Sequence, residues 1–497
     1  MEDNKKENFD EINIEMKDFG QISKGTISLK PLTIFIGSNN SGKSYGAMLI
    51  HSIFESHNPS PNFFNKQSRA RNFYPLHLNP KVSRKKLDSE SITQLTERIR
   101  KLEENQEIEI PSELTEEVIP EIINQWFKNR LSNELKFLFS SQLSDLNRIV
   151  DKRTKPFQVS ITTSTIDVKI KNLKGKCETV YKLNKNPKII IKCSSKDTAE
   201  EPQNTLDEIF FIVPQDIINK LREELIESFI YTACESYVSS QFSKPCYYLP
   251  ASRSGILQNN RPLIAGIMSN MSFYDVGDNL VSGIIIKFLS TVINLPNKKG
   301  EFFEIVQDFE NELIQGNIDI TNTDNIYSPT IKYNFKNTEI PLLRSSSTVS
   351  ELAPIFLYLK YLAKPNTFLI IEEPEAHLHP KNIRILARLF VKLIRKNVHV
   401  LITTHSDYLL EQLSNFIKLS KIDPQIRKSK FNYDEEDYLN SNEVSGYVFK
   451  ESKKLKGTEI IPIEIDDGLI SQEEFVKIRN ILYEEIIKID DILDCLE

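Results

Sequence analysis

The sequence has little of what marks secreted or disulfide-rich proteins. Its 497 residues include only five cysteines, whose odd number and scattered spacing suit neither a disulfide framework nor a metal site. They are Cys177, Cys193, Cys234, Cys246 and Cys495. We therefore expect reduced thiols in a cytoplasmic protein.

Long apolar runs are also lacking. After Met1 the next seven residues are all polar, and they form no apolar core of a signal peptide. The run Val281–Leu295 is interrupted by Lys287 and is shorter than a bilayer span. We expect no membrane anchor.

A strong charge of one sign is absent as well, since the formal net charge is −6. This argues against a general nucleic-acid coat but leaves room for a local basic groove. Residues 60–87 contain basic and aromatic side chains and no acidic one. The segment suits either a solvated basic loop or a surface for nucleic acid or a protein partner.

The length and the charged fraction of 27% predict a globular protein of two or three domains.

The first motif that carries chemistry is a phosphate loop. Residues 37–44 match G-x-x-x-x-G-K-[ST] completely, between a predicted strand at Leu32–Ile36 and a predicted helix at Tyr45–Phe54. Backbone N–H groups of such a loop surround a β-phosphate, Lys43 neutralises phosphate oxygens, and the Ser44 hydroxyl faces Mg²⁺. The sequence thus predicts binding of ATP and Mg²⁺ by Gly37, Ser38, Asn39, Asn40, Ser41, Gly42, Lys43 and Ser44.

A second motif is the acidic strand at 368–373, in which four apolar residues precede two glutamates. Two carboxylates at the end of a buried strand are costly unless a cation or a reaction uses them. We predict that Glu372 holds Mg²⁺ and that Glu373 polarises the attacking water. The alternative is a pair that simply faces solvent. His405 ends a further predicted strand, Val398–Thr403, where a γ-phosphate sensor would lie.

Two further segments leave alternatives open. The serine cluster at 344–352 precedes a predicted helix, so Ser346 and Ser347 are either helix caps or an anion site for a nucleotide held by another subunit. The segment Tyr248–Gln258 follows a predicted strand. Its Arg253 and Gln258 are either nucleotide contacts or parts of a surface turn.

The order of these motifs resembles ABC-type ATPases of the SMC and OLD branch. The resemblance implies an α/β fold, namely an ABC-type P-loop ATPase head with a helical insertion and a small α/β C-terminal extension. It implies two heads that sandwich ATP, with Ser346 and Ser347 as signature serines and His405 as the switch histidine. The signature usually has glycine where this chain has Thr348, which predicts slow turnover.

We predict a head formed by residues 1–85 and 151–420, with an insertion at 86–150 that is a helical hairpin and an extension at 421–497. The strand Ile12–Phe19 is expected to pair with Thr26–Leu29 as an edge hairpin. Further strands are expected at 157–171 and 179–192, and in the tail at 447–449 and 459–465. No internal repeat is apparent. The insertion and the tail are expected to bind partners, because neither is needed for the nucleotide site.

Only about 90 residues follow His405, too few for the nuclease domain of OLD-type proteins. The chain thus resembles stand-alone ATPase subunits of bacterial antiphage systems, PtuA of Septu and AriA of PARIS. This implies a homo-oligomer, at least a dimer, that regulates a separate nuclease effector in response to DNA or a phage protein. The alternative is a repair or recombination ATPase that acts on DNA ends. A transporter-associated ATPase is disfavoured, because the insertion and the tail are foreign to that class.

Overall fold

The computed structural model describes residues 11–57, 87–194, 208–259, 282–296, 298–321, 330–336, 338–466 and 468–494. The basic segment at 60–87 therefore lies, apart from Leu87, outside the described residues. Within the described ranges, no helix is both long and apolar enough to cross a bilayer.

The strands of the described residues are β1 (Ile12–Phe19), β2 (Ile22–Leu29), β3 (Leu32–Gly37), β4 (Glu107–Glu109), β5 (Arg148–Val150), β6 (Arg153–Lys155), β7 (Gln158–Thr162), β8 (Ile166–Leu173), β9 (Lys176–Leu183), β10 (Lys188–Ser194), β11 (Glu208–Pro214), β12 (Cys246–Leu249), β13 (Asn317–Thr321), β14 (Thr330–Phe335), β15 (Thr338–Pro341), β16 (Phe368–Glu372), β17 (His399–Thr404), β18 (Val444–Ser452), β19 (Gly457–Ile463), β20 (Ile465–Asp466) and β21 (Leu469–Ile470).

The helices of the same residues are α1 (Lys43–His57), α2 (Ser89–Arg100), α3 (Ser112–Ile123), α4 (Leu131–Phe139), α5 (Gln215–Ile218), α6 (Glu223–Ser239), α7 (Arg253–Gln258), α8 (Gly283–Ile293), α9 (Phe303–Ile314), α10 (Ser347–Tyr361), α11 (Pro380–Arg395), α12 (Asp407–Leu419), α13 (Pro424–Phe431) and α14 (Glu473–Asp494). A π-helical segment, Asn124–Arg130, joins α3 to α4, and short 3₁₀ turns lie at Leu143–Leu146, Leu342–Arg344 and Ser441–Glu443.

One large sheet organises the molecule, in the order β12-β16-β17-β3-β18-β19-β2-β1-β7-β8-β9. The first five strands are parallel neighbours. The acidic strand β16 is buried along its whole length, as is β17, and β3 is buried up to Gly37. Such continuous apolar runs are typical of parallel strands that are covered on both faces. Because these strands run in one direction, the phosphate loop, the acidic pair and His405 lie at the same edge of the sheet.

The other half of the sheet is mostly antiparallel. The predicted pair of Ile12–Phe19 with Thr26–Leu29 exists as β1 and β2. The prediction that this pair lies at the edge of the sheet was wrong. β2 also pairs with β19, and β1 also pairs with β7, so both strands are interior. The segments at 157–171 and 179–192 form four strands, of which β10 leaves the sheet and joins β11 and β4.

The inserted segment at 86–150 is helical but is not an isolated hairpin. Its strand β4 pairs with β10, with Ile108 opposite Ile191. Its apolar side chains, such as Leu114 and Phe127, belong to the same core cluster as Ile14 of β1 and Ile50 of α1. The sequence did not show this, because helical periodicity identifies an apolar face without showing what covers it.

The tail contributes to the centre of the sheet. β18 lies next to β3, with Val448 opposite Ile36, so the expectation that the tail is not needed for the nucleotide site was wrong. A Cβ atom at Gly37 would lie 2.5 Å from the carbonyl oxygen of Phe449. Among the helices that the structure describes, the last one, α14, leaves the head, and its described side chains are exposed from Val476 onward.

Candidate active site

The phosphate loop has backbone geometry that requires glycine at both ends. Gly37 has φ +153° and Gly42 has φ +93°, and Asn40 between them is also left-handed, at +61°. A side chain at Gly37 would collide with Phe449 and with the Ser41 hydroxyl. The chain therefore wraps tightly between β3 and α1, and the residues that sequence predicted for phosphate binding form one continuous turn.

Lys43 and the loop serines supply the polar groups of this turn. Lys43 is buried, and its Nζ donates hydrogen bonds of 2.9 Å each to the carbonyl oxygens of Gly37 and Ser38. Burial lowers the pKa of this ammonium group, and Glu373, Glu372 and Glu375 oppose that shift. A bound triphosphate would compete with the two carbonyl oxygens for the same donor.

The acidic strand delivers Glu372 into a buried position. Its Oε2 accepts a hydrogen bond of 3.1 Å from the N–H group of Ala251. Its Oε1 is buried and meets no donor at hydrogen-bond distance among the described residues, although the Tyr248 hydroxyl interacts with the same carboxylate, and burial and then Glu372 raise the pKa of Tyr248. A carboxylate oxygen in this state is suited to a cation, since an unpaired buried charge is costly.

A magnesium ion fits this donor set. The described residues contain no group of three or more His, Cys, Asp or Glu side chains that could hold a metal. Mg²⁺ usually takes one or two protein oxygens and completes its octahedron with phosphate and water. The exposed hydroxyl of Ser44 and the free oxygen of Glu372 would serve as those two donors.

Glu373 points in a different direction from Glu372, because its backbone is left-handed at φ +43°. Its N–H donates to the carbonyl oxygen of Thr403, at 2.9 Å, and to the hydroxyl of the same residue, at 3.2 Å. Its side chain is 41% exposed, and its Oε1 lies 3.7 Å from Nε2 of His405. A strained backbone held by two bonds thus turns one carboxylate into the cleft, as a general base requires.

His405 lies between the phosphate loop and Glu373. Burial and the nearby Lys43 ammonium lower the pKa of its imidazole, while Glu373 acts in the opposite direction. The ring is therefore mostly neutral at pH 7, so that one nitrogen accepts and the other donates. The structure brings together Lys43, Glu373 and His405, as predicted from three separate segments of sequence.

Glu375 is a site residue to which the sequence gave no role. Its Oε1 accepts from the hydroxyl of Thr404, at 2.6 Å, and from the backbone N–H of His405, at 2.9 Å. Burial raises the pKa of this carboxyl group. Glu375 therefore ties the turn after the acidic strand to the end of β17, and so fixes the backbone that carries His405. The sequence offered one indication of this role, because Glu375 lies two residues after the acidic pair.

Arg253 was left open by the sequence, and for it the alternative of a surface turn was wrong. The side chain is fully buried. Its Nη1 donates to the carbonyl oxygen of Glu372, at 2.7 Å, and its Nη2 to that of Glu373, at 3.2 Å. Its Nε donates to the carbonyl oxygen of Glu351 in α10, at 3.0 Å. Arg253 thus joins the end of the acidic strand to the helix that follows the serine cluster.

Gln258 lies at the other end of α7 and is exposed. Its side-chain amide donates to the Ser350 hydroxyl at 3.5 Å, near the limit for a hydrogen bond. The described contacts therefore connect it with the serine-bearing helix α10, and its contact with a nucleotide stays a prediction.

The serine cluster caps α10 and also presents an exposed surface. Ser346 is the N-cap residue and accepts from the N–H of Val349, at 3.4 Å. Ser346 and Ser347 are exposed, at the positive end of the helix dipole. The hydroxyl of Thr348 donates to the carbonyl oxygen of His377, at 3.4 Å. Thr348 therefore contacts the turn that follows the acidic pair.

The fold and the site together define a class of protein. A phosphate loop lies between β3 and α1, and β17 separates that strand from the acidic strand β16. An antiparallel half extends the same sheet. This is an ABC-type P-loop ATPase head of the α/β class.

The AAA ATPase domain family matches residues 12–410, and the chain belongs to that family. It is therefore a nucleotide-binding ATPase. No curated protein matches the chain.

Three solved structures are similar to the chain at low identity. An Smc head bound to the C-terminal winged-helix domain of ScpA is 12% identical, with 92% of this chain and 99% of that chain covered and a TM-score of 0.39. The SMC head domain of Thermotoga maritima is 10% identical, with 91% and 99% covered and a TM-score of 0.35. An Smc head with an extended coiled coil bound to a ScpA domain from Pyrococcus furiosus is 12% identical, with 95% and 98% covered and a TM-score of 0.37.

Proposed function

We propose that the chain is an ATP-dependent regulator that assembles through ATP-sandwiched heads and controls a separate effector, a nuclease, in antiphage defence. The observation that supports the nucleotide-dependent part is the convergence of Lys43, Glu372, Glu373 and His405 at one edge of the parallel sheet. These groups suffice to bind ATP with Mg²⁺ and to activate a water molecule.

Assembly through the heads is supported by the exposed serines at the start of α10. Ser346 and Ser347 combine hydroxyl groups with a helix N-terminus, which attracts anions. A γ-phosphate held by one head would meet this surface on a second head. In this arrangement each nucleotide is completed by two chains, so assembly depends on ATP.

Slow turnover follows from Thr348. A β-branched residue at this place cannot let the backbone approach phosphate as closely as glycine does. A slow ATPase stays in its assembled state for longer after binding ATP. That property suits a sensor that holds a partner rather than a motor that cycles rapidly.

The effector assignment rests on the resemblance to the ATPase subunits of Septu and PARIS and needs a direct experiment. A tagged Glu373→Gln chain, which should hold ATP, is purified from its native host beside a tagged Lys43→Ala chain. We expect a nuclease that co-purifies with the chain and whose DNA cleavage depends on the nucleotide state. The isolated chain should not cut DNA.

Two results would contradict this proposal. Metal-dependent DNA cleavage by the isolated chain, lost when its own acidic residues are changed, would place the nuclease in this chain. Tight duplex binding with DNA-stimulated hydrolysis and no co-purifying nuclease would instead favour a repair ATPase that acts on DNA ends.

A further inference from the structure

The last helix, α14, is an apolar helix that stands apart from the head. It is 22 residues long, and among the described residues its packing against the core is at its first turn, where Phe475 is partly buried. Beyond it, seven large apolar residues of one helix face are 50–61% exposed: Ile478, Ile481, Leu482, Ile486, Ile489, Ile492 and Leu493. Val476, Tyr483 and Ile487, on the other side of the helix, are also exposed, at 44%, 66% and 45%. A lone helix with such a face is marginal in water and indicates an interaction surface.

The helix consists of two copies of an 11-residue repeat, so the expectation that the chain has no internal repeat was wrong. Residues 473–483 read EEFVKIRNILY and residues 484–494 read EEIIKIDDILD. Glu, Lys, Ile and Leu recur at identical places in the two copies. An 11-residue apolar repeat corresponds to 3.67 residues per turn, which keeps one apolar face in contact along two helices that wind around each other with a right-handed supercoil.

The apolar face of α14 matches the same face of a second copy that runs in the opposite direction. Ile478 and Ile489 lie at nearly equal distances on either side of residue 484, as do Leu482 and Ile486. Two antiparallel copies centred near residue 484 would therefore place Ile478 close to Ile489 and Leu482 close to Ile486. By symmetry each pair occurs twice, which gives four apolar layers. Parallel copies would also form apolar layers, so the direction depends on charge.

Charge favours the antiparallel arrangement with a second copy. The first repeat has two acidic and two basic residues, whereas the second has five acidic residues and one basic residue. Parallel copies would place the two acidic halves side by side. Antiparallel copies place each acidic half against a neutral one and bring Arg479 close to Asp490. The acidic character also disfavours an anionic membrane surface as the occupant.

The size of the contact suits a stable pair. A helix of 22 residues is about 33 Å long. Two such faces bury on the order of 1,000 Å² in total, which meets the threshold for a specific interface. We infer that α14 is a homodimerisation helix that pairs in antiparallel orientation with α14 of a second copy, independently of ATP. This contact is separate from the proposed sandwich of the heads and does not require it.

The experiment measures the oligomeric state of the full chain without nucleotide by sedimentation velocity. A Lys43→Ala background removes any contribution from ATP-dependent pairing of the heads. We expect a dimer at micromolar concentration. Leu482→Glu should weaken it by roughly a hundredfold or more, since two unpaired carboxylates would lie in the apolar seam. Asn480→Glu, on the opposite face of the same helix, is the matched control and should leave the dimer unchanged.

A charge reversal tests the direction. Asp490→Arg should weaken the dimer by about tenfold, because it would face Arg479 of the second copy. Adding Arg479→Asp should restore the dimer, because the pair is re-formed with its signs exchanged. A monomeric parent chain, or a dimer that tolerates Leu482→Glu, would overturn the inference. Failure of the double variant to recover would overturn the antiparallel orientation.

Discussion

At the residue scale, Glu372 and Glu373 are adjacent in sequence and differ in environment. Glu372 is buried with one unpaired carboxylate oxygen, while Glu373 is partly exposed beside His405. The left-handed backbone at Glu373 separates the two side chains. Two adjacent carboxylates can thereby serve a metal ion and a water molecule at the same time.

The first prediction concerns this division of roles. Glu373→Gln should retain ATP and Mg²⁺ but lose about 10²–10⁴-fold in the rate of hydrolysis, since an amide cannot act as a general base. Calorimetry measures binding and phosphate release measures turnover. Glu411→Gln, on an exposed part of α12, is the control. Lys43→Ala should abolish binding itself. Near-normal turnover in Glu373→Gln would assign the base to another residue.

At the element scale, Arg253 connects its own helix α7 with the end of β16 and with α10. It holds the carbonyl groups of Glu372 and Glu373 at the end of β16, and it also bonds to α10. Because α10 carries the serine surface, we expect a shift of that helix to move the backbone of the proposed general base through Arg253. Burial lowers the pKa of the Arg253 guanidinium, and Glu351 is the main group that opposes this shift.

The second prediction follows from these bonds. Arg253→Lys keeps a positive charge but cannot reach all three carbonyl groups, because an ammonium lacks the planar fork of guanidinium. We expect kcat to fall at least about tenfold while the affinity for ATP changes little. Thermal unfolding should show a loss of stability of about 1–3 kcal/mol. Arg98→Lys on exposed α2 is the control, and an unchanged kcat would remove Arg253 from the positioning of Glu373.

Element by element, the sequence predicted those parts of the site that have local signatures. The phosphate loop and the acidic strand are identified by short patterns, and the direction of parallel strands brings their ends together. The contribution of β18 was not predictable, because a pairing between residues 32–37 and 444–449 leaves no local signal. Arg253 was left open for the same reason, since its partners lie about 100 and 120 residues away. The repeat in α14 was visible in the sequence and was missed.

At the scale of the whole molecule, three buried histidines link stability to pH. Burial lowers the pKa of His51, His57 and His399 to about 3 each. Their pKa in the unfolded chain is about 6.5. Since the folded-state pKa is the lower one, stability is complete above pH 6.5 and is lost as the pH falls from 6.5 towards 3. In that window only the unfolded state takes up these protons.

The third prediction is the slope of the free energy of unfolding against pH. Below pH 6.5 each of these histidines should lower the free energy of unfolding by about 1.4 kcal/mol per pH unit. Urea unfolding at a series of pH values measures the slope. His57→Phe, inside the aromatic group of Trp126, Phe127 and Phe242, should remove about one third of the histidine contribution. His379→Asn, at the exposed N-cap of α11, is the control and should leave the slope unchanged. An unchanged slope in His57→Phe would contradict the assignment.

The assembly proposed for the whole molecule depends on the serine surface of α10. Glu373→Gln should hold ATP without hydrolysing it, so the variant would accumulate the ATP-bound assembly. Ser347→Arg places a bulky cation where the partner's γ-phosphate would bind, without touching the phosphate loop of its own chain. Binding of ATP to a single head should therefore survive this change.

The most direct measurement is light scattering of Glu373→Gln with and without ATP, compared with the Glu373→Gln/Ser347→Arg double variant. Leu482→Glu is included in both chains, so that pairing through α14 does not obscure the result. The account predicts that ATP raises the molar mass of the first protein and leaves that of the second unchanged, although both bind ATP. An equal mass increase in the two proteins, or none in either, would contradict assembly through ATP-sandwiched heads.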